Sequence, residues 1–472
     1  MCVSSSYRQA RAALLGLALL VSLSACGALK EVQVPPKDAP VANLGARLNV
    51  RGAAGPVAPG EERRVLRTLA AEGEPELLMH HLAALARVGE IDLYRGNTAR
   101  LLVDGPATFK AMKREMRSAK RRILLESYIF EDDGIAVEMA SLLADKARAG
   151  VAVHVLYDSV GSRGSDTAFF DRLRAQGVKV CAFNPINPTE RPGYFSIEHR
   201  NHRKVLVVDS EAAFAGGINI SQVYAKGSFS SAPRAQRTGD ALQEGWRDTQ
   251  IELHGPAVAA FAQQFIDTWR SQGCEGAIGD AAPAAVAQPG TRIVKVIISS
   301  PDDRYNAIYA SLLAVFEGAR ESIKVTMAYF APGQEMVEAL CQAARRGVKV
   351  QLILPAKSDF RLILHAGRSY YNQLLDAGVE VYEMENSVLH SKTAVVDGVV
   401  GTVGSSNMDW RSFVANNEIN VVVLGKDFGS EMEALFERDL KASRRITPED
   451  WRARGLWPRV MELVGRAAER WL

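Results

Sequence analysis

The sequence predicts an α/β fold of two matched halves, with mixed sheets flanked by helices and a pseudo-twofold axis between them. Three observations point there. Apolar, β-branched runs alternate with helical stretches, the pattern of strands covered by helices. The same order of elements runs through residues 92–272 and again through 292–446. One compound pattern also occurs in each half. The first copy reads His202-x-Lys204-x4-Asp209, six residues, then Gly216-Gly217-Ile-Asn219; the second reads His390-x-Lys392-x4-Asp397, six residues, then Gly404-Ser405-Ser-Asn407. A fixed residue matches by chance about one time in twenty, so two accidental copies at identical gaps can be dismissed.

The elements follow in chain order. Arg8 and Arg11 precede an apolar run, Ala12–Leu23, too short for a membrane span and right for a targeting segment. It ends Leu23-Ser24-Ala25-Cys26, which resembles the lipobox of bacterial lipoproteins. That resemblance implies a signal peptide over 1–25, acylation of Cys26 and, with Gly27 rather than Asp next, the periplasmic face of the outer membrane; the inner membrane is the alternative. An ordinary secretory signal with an incidental cysteine is the competing reading. Residues 26–60, with Pro35, Pro36, Pro40, Pro56 and Pro59, read as an extended tether. Residues 61–91 form a helical segment with Leu66, Leu69, Leu77, Leu78, Leu82 and Leu85 on one face; His80 and His81 are read as helix surface and core edge.

In the first half, strands are expected at Arg122–Phe130, Val151–Tyr157 and Gly177–Cys181, with helices at Gly134–Ala149 and Phe169–Gln176. In the second, strands fall at Ser322–Phe330, Gly347–Pro355 and Gly378–Tyr382, with helices at Gln334–Arg346 and Tyr370–Asp376. Residues 273–291, rich in Ala, Gly and Pro, link the halves, and 447–472 form a C-terminal amphipathic helix that lies on a lipid surface or packs on its own domain. Asn184–Asn201 and Gly227–Gly245 are additions to the first half, read as lids over a site or as plain surface loops. Cys181 and Cys341 are expected to be buried small hydrophobes; any disulfide with Cys274 cannot be paired from sequence.

Val205–Val208 and Thr393–Val396 read as strands, so His202 and Lys204 point the same way, as do His390 and Lys392. The glycines allow close backbone approach, and the Asn supplies an amide donor. Imidazole, ammonium and amide converging on one point describe a phosphate site.

These motifs resemble the phospholipase D superfamily. The tail Gly404-Ser-Ser-Asn407-Met-Asp409-Trp-Arg411-Ser412 with Asn416-Asn417-Glu418, and Gly245-Trp246-Arg247-Asp248 with His254-Gly-Pro256, resemble its cardiolipin synthase-like branch, over roughly residues 92–446. The resemblance implies two phospholipase D-like domains sharing one active site at their seam. It implies a covalent phosphohistidine on His202, with His390 protonating the leaving oxygen and then activating the acceptor. Lys204, Lys392, Asn219, Asn407 and Ser405 would hold the phosphate. Asp209 and Asp397 belong to the motif and are grouped with the catalytic set, although the work expected of them is structural. Glu418 and Asp248 are the carboxylates expected to orient the imidazoles. Neither a metal nor a cofactor is implied.

Composition narrows the rest. A net charge of +3 over 472 residues, with no basic stripe interleaved with aromatics, makes nucleic acid an unlikely partner. The expected substrate is a phospholipid, phosphatidylglycerol or a relative, used in transfer or in hydrolysis. A periplasmic nuclease and a non-catalytic lipoprotein that binds anionic lipid are the alternatives. Since one chain carries both motifs, a monomer suffices. His154, His254 and His365 are read as packed or solvated, and Tyr128 and Tyr329 as pocket lining or core.

Overall fold

The computed structural model describes residues 32–34, 48–52, 55–57, 64–65, 67, 74–187, 196–228, 245–280 and 287–472. The expected leader, Cys26, most of the tether, the first part of the 61–91 helix and the middles of both additions lie outside these residues.

Leu48–Gly52 (β1) and Gly55–Pro56 (β2) precede helix α1, Pro75–Val88. The first half follows: β3 Ile91–Val103, α2 Asp104–Ser118, β4 Arg122–Ser127, α3 Gly134–Arg148, β5 Ala152–Asp158, α4 Thr167–Ala175 and β6 Lys179–Phe183. Then come β7 Arg200–Asn201, β8 Val205–Val208, β9 Ala212–Gly216, β10 Thr249–His254 and α5 Val258–Ser271. The second half is β11 Arg292–Ser299, α6 Ala307–Gly318, β12 Ser322–Met327, α7 Gln334–Arg345, β13 Lys349–Pro355, α8 Arg361–Arg368 and α9 Tyr371–Asp376. It continues with β14 Glu380–Met384, β15 Lys392–Val396, β16 Val400–Gly404, β17 Asn416–Leu424, α10 Lys426–Lys441 and β18 Ser443–Ile446. Helices α11, Pro448–Arg452, and α12, Leu456–Ala468, close the chain.

The first sheet runs β6–β5–β4–β8–β9–β10–β3, with β4, β5 and β6 parallel and the other neighbours antiparallel. The second runs β14–β13–β12–β15–β16–β17–β11, again with three parallel strands, and β18 adds antiparallel beyond β14. The two orders match strand for strand. Strands β3 and β11 join them, antiparallel, with Val294 opposite Tyr94. This is the pseudo-twofold relation that the repeated motif calls for.

The halves also share a core. Val205, Val207, Ile251, Phe261, Phe265 and Trp269 from the first cluster with Val395, Val403, Ile419, Val421, Phe428 and Met432 from the second. Strands covered on both faces are buried throughout, which is why β8 reads as an unbroken apolar run and β15 as apolar from Ala394 to Val396. Cross-half polar contacts fix the register of this apolar seam. Arg247, 1% exposed, donates from Nε and Nη2 to Asp439 at 3.0 and 2.6 Å.

Three expectations change here. Residues 48–52 and 55–56, expected within the extended tether, form β1 and β2, with β1 parallel to β3 and its Leu48 and Val50 buried. Cys181 is not an isolated buried hydrophobe: it forms a disulfide with Cys274, tying β6 to the end of α5, while Cys341 is free and buried. His81 is no helix-surface residue. It is fully buried, with Nε2 2.8 Å from Asp397 Oδ2, so α1 docks on the second half although it precedes the first.

Asp439→Ala removes the nearer carboxylate of the buried Arg247 guanidinium and leaves it Asp104 at 3.6 Å, an expected loss of up to about 3–5 kcal/mol. Urea unfolding monitored by circular dichroism measures it; a loss below about 1 kcal/mol would show that the pair does not hold the seam.

Candidate active site

Each motif histidine docks on the opposite half. The His202 amide donates to the Asn417 carbonyl at 3.0 Å, and β7 runs parallel to the start of β17, with Asn201 opposite Asn417. The His390 amide donates to the Arg247 carbonyl at 2.8 Å. In both cases the accepting carbonyl belongs to the residue just before a buried carboxylate. The side chains repeat the exchange: His202 Nδ1 lies 2.9 Å from Glu418 Oε1, and His390 Nδ1 lies 2.8 Å from Asp248 Oδ2. Each carboxylate therefore serves the imidazole of the other half. A carboxylate on Nδ1 fixes the proton there and leaves Nε2 with its lone pair.

The lysines close the cluster. Lys204 Nζ donates to the His202 carbonyl, and Lys392 Nζ lies 2.9 Å from His390 Nδ1 and 3.0 Å from its Nε2. The Lys392 charge acts on both His202 and Lys204, so the two motifs form one electrostatic unit. Burial lowers His202 to about 4 despite the pull of Glu418, so its ring is neutral at pH 7. Burial, then Lys392, lowers His390 as well. Burial also drops Lys392 to about 8 and Lys204 well below its ordinary value. Burial alone would raise Glu418, but His202, Lys204 and the Ser405 hydroxyl hold it at about 2. Burial thus disfavours the charged form of each cation in the site despite the nearby carboxylates, a cost that an anionic ligand would offset.

Several expected residues do something else. Ser405 does not face a phosphate; its hydroxyl donates to Glu418 Oε2 at 2.5 Å and so extends the His202–Glu418 chain. Asp209 and Asp397 are not among the imidazoles. Asp209 accepts from the backbone amides of Lys120, Arg121 and Arg122 ahead of β4, and Asp397 accepts from those of Arg320, Glu321 and Ser322 ahead of β12. They hold the strands that carry the site rather than touch it. Asn219 accepts from the Ile129 amide and donates to Tyr224 Oη at 3.1 Å, which commits one of its two N–H groups. The Asn407 side-chain oxygen is buried with no hydrogen-bond partner among the described residues.

The structure adds one residue that the motif spacing did not mark, Tyr224, and places Trp246 and Asp409 of the motif tails and the tyrosines Tyr128 and Tyr329 at the site with it. Tyr224 Oη lies 3.2 Å from His390 Nδ1, and the Trp246 ring lies 5.3 Å from the same imidazole. Tyr224 falls five residues after Asn219 on a short 3-10 turn, which periodicity does not single out. Asp409 is buried and raised to about 7 by that burial, beside the Glu418 charge. Tyr128 and Tyr329 line the site: their rings stand 5.0 Å from His202 and 6.1 Å from His390. His199 also crosses the seam, with Nε2 2.9 Å from Asn417 Oδ1. One group with metal-ligand spacing exists among the described residues, Glu115, Glu252 and His254; Arg100 and Arg114 already pair with Glu252.

Gly217 occupies the motif position that Ser405 holds in the second half. A Cβ there would stand 2.2 Å from Asp248 Oδ1. The shorter carboxylate takes the space that a side chain would fill, and the longer Glu418 instead receives a hydroxyl.

The family described as cardiolipin synthase, PLD-like domain, matches residues 112–229 and again 312–440. A cardiolipin synthase of Geobacillus kaustophilus is 33% identical over 80% of this chain and 73% of its own length. Cardiolipin synthase A of Pseudomonas aeruginosa is 34% identical over 79% of this chain and 73% of its own. The crystal structure of a phosphatidylserine synthase from Haemophilus influenzae superposes with a TM-score of 0.60, at 12% identity, over 79% of this chain and 93% of that one, which is a likeness of fold.

The charge states predict a bell-shaped profile. kcat/KM should fall as pH rises through about 8, where Lys392 loses its proton, and fall again as pH drops towards about 4, where His202 gains one. Lys392→Arg, which stays charged, should carry the alkaline limb upward; an unmoved limb rules Lys392 out as its source. Gly217→Ser pushes Asp248 off His390, with kcat expected to fall roughly 100-fold while the thermal midpoint changes little; full activity would mean that this contact is dispensable.

Proposed function

The chain belongs to the phospholipase D superfamily, in its cardiolipin synthase branch, and on that premise we propose that it transfers a phosphatidyl group from one phosphatidylglycerol to the hydroxyl of another lipid. The observation that carries this reading is the reciprocal pairing of His202 with Glu418 and of His390 with Asp248. It sets two imidazole Nε2 atoms, each with a fixed tautomer, beside two buried ammonium groups.

The chemistry follows from these charge states. The phosphodiester brings further negative charge beside Lys204 and Lys392, which raises both lysines and His390 towards their protonated forms. His202 Nε2, neutral at pH 7, attacks phosphorus. As the phosphorus–oxygen bond to glycerol breaks, His390 Nε2–H gives its proton to the departing alkoxide. The phosphatidyl group is then held on His202. His390, now neutral, takes the proton of the acceptor hydroxyl, whose oxygen attacks phosphorus and frees His202. Lys204, Lys392, the remaining Asn219 N–H and, after rotation of its amide, Asn407 stabilise the charge on the equatorial oxygens. We assign His202 as nucleophile from the family resemblance; Glu418, which accepts from the Ser405 hydroxyl, orients its ring.

We place the protein outside the cytoplasm, anchored through acylated Cys26 at the periplasmic face of the outer membrane. The lipobox-like Leu23–Cys26 supports this, and the Cys181–Cys274 disulfide is the kind that persists in an oxidising compartment. No helix among the described residues is long and apolar enough to cross a membrane.

The test is lipid product analysis by mass spectrometry on purified protein given phosphatidylglycerol or, separately, single-stranded DNA. Expected are cardiolipin and glycerol, lost by at least roughly 1000-fold in His202→Ala. Phosphatidic acid as the sole product would make the chain a hydrolase, and turnover of DNA alone would overturn the lipid reading.

A further inference from the structure

Helix α12 is turned inside out. Its apolar residues Leu456, Val460, Leu463 and Val464, with Ala467 and Trp471 beyond, recur at helical spacing on one stripe, flanked by Trp457. In an ordinary surface helix that stripe faces the core. Here Leu456 is 79% exposed, Trp457 and Leu463 71%, and Trp471 52%. The face turned to the protein is the polar one. Glu462 is buried and pairs with Arg454, Gly465 packs so closely on α8 that a Cβ would lie 2.4 Å from the Ala366 nitrogen, and Glu469 accepts from Tyr370 Oη and the Gly333 amide. Leu472 then anchors the end among Ala331, Ile363 and Ala366. This orientation is therefore held by specific contacts.

The stripe also adjoins the active site. Helix α8, on which α12 lies, begins just after Asp359 and Phe360. Asp359 accepts from Tyr329 Oη at 2.7 Å, and the Tyr329 ring flanks His390. Phe360 is 41% exposed at this rim. Phe360 follows the end of the parallel strand β13, and Ile186 and Ile197, beyond the end of the parallel strand β6 in the first half, are exposed too. Arg361, Arg459 and Arg470 are exposed beside the stripe, while both carboxylates of residues 456–472 face the protein.

We propose that this stripe is a membrane-docking surface. Helix α12 lies in the headgroup region of an anionic phospholipid bilayer, its Leu, Val and Trp side chains at the acyl boundary and the neighbouring arginines on lipid phosphates, and this holds the active-site mouth over its substrate. Apolar residues on one face, tryptophans at its margins and flanking arginines fit an interface that is greasy below and negative above. At 13 residues α12 is too short to span a bilayer, so it lies along the surface. The proposal rests on the phospholipid reading above but needs no acyl anchor.

The experiment uses the full chain carrying Cys26→Ser, so that no acyl group supplies attachment, with and without Leu463→Glu and Val464→Glu together. Three readouts are taken: flotation with vesicles of phosphatidylglycerol and phosphatidylcholine, turnover of phosphatidylglycerol in those vesicles, and turnover of a short-chain phosphatidylglycerol below its micellar concentration. Expected are a loss of flotation and of vesicle turnover of about tenfold or more, with short-chain turnover within about twofold of the parent. Leu456→Gln with Trp457→Gln should do the same, and matching thermal midpoints exclude unfolding. Unchanged flotation and vesicle turnover would overturn the proposal. So would a change from dimer to monomer in sedimentation with vesicle turnover intact, which would make the stripe a contact between copies. If the parent turns over neither lipid form, the phosphatidyltransferase reading fails, and flotation alone then decides the docking.

Discussion

One hydrogen bond, made twice, organises this protein: an imidazole Nδ1–H of one half given to a carboxylate of the other. His202 and Glu418 are 216 residues apart, and His390 and Asp248 142. Neither half can orient its own histidine. The shared apolar seam, the β3–β11 junction and the buried Arg247–Asp439 pair all bring these partners within reach. Backbone and side chain make the same exchange, since each histidine amide bonds the carbonyl preceding its partner's carboxylate. The site therefore exists only when both halves are folded and joined.

That arrangement concentrates charge where water is scarce. Burial depresses Lys204, Lys392, His202 and His390 together, because leaving water disfavours the charged form of each even beside a carboxylate. An arriving phosphodiester supplies further negative charge, so ligand binding and protonation are coupled. The structural aspartates stand outside this cluster. Asp209 spends its oxygens on backbone amides, and Asp397 on backbone amides and His81.

Much of this was legible in the sequence, and the reason is periodicity. The paired His-x-Lys motifs fixed which side chains share a face, and the apolar or β-branched runs Val205–Val208 and Thr393–Val396 marked strands buried on both sides. The carboxylates Glu418 and Asp248 were legible through the motif tails. Which imidazole each one serves was not, because the crossing is a property of the seam. Ser405 was misread for a related reason: a hydroxyl beside a phosphate motif suggests a ligand, and only the fold shows Glu418 nearer. Tyr224 carries no spacing signal at all, and its place on His390 depends on a single 3-10 turn. The Cys181–Cys274 pairing joins a strand to the turn after α5, a closeness no linear pattern encodes.

The halves match in topology and differ where the chemistry divides. Gly217 leaves room for Asp248, whereas Ser405 braces Glu418, so two similar imidazoles meet different surroundings. The central claim is the crossing itself, and proton NMR of the imidazole N–H resonances in 15N-histidine-labelled protein tests it most directly. The account predicts that Glu418→Gln perturbs the downfield Nδ1–H signal of His202 and spares that of His390, while Asp248→Asn does the reverse. Each substitution perturbing the histidine of its own half instead would contradict it.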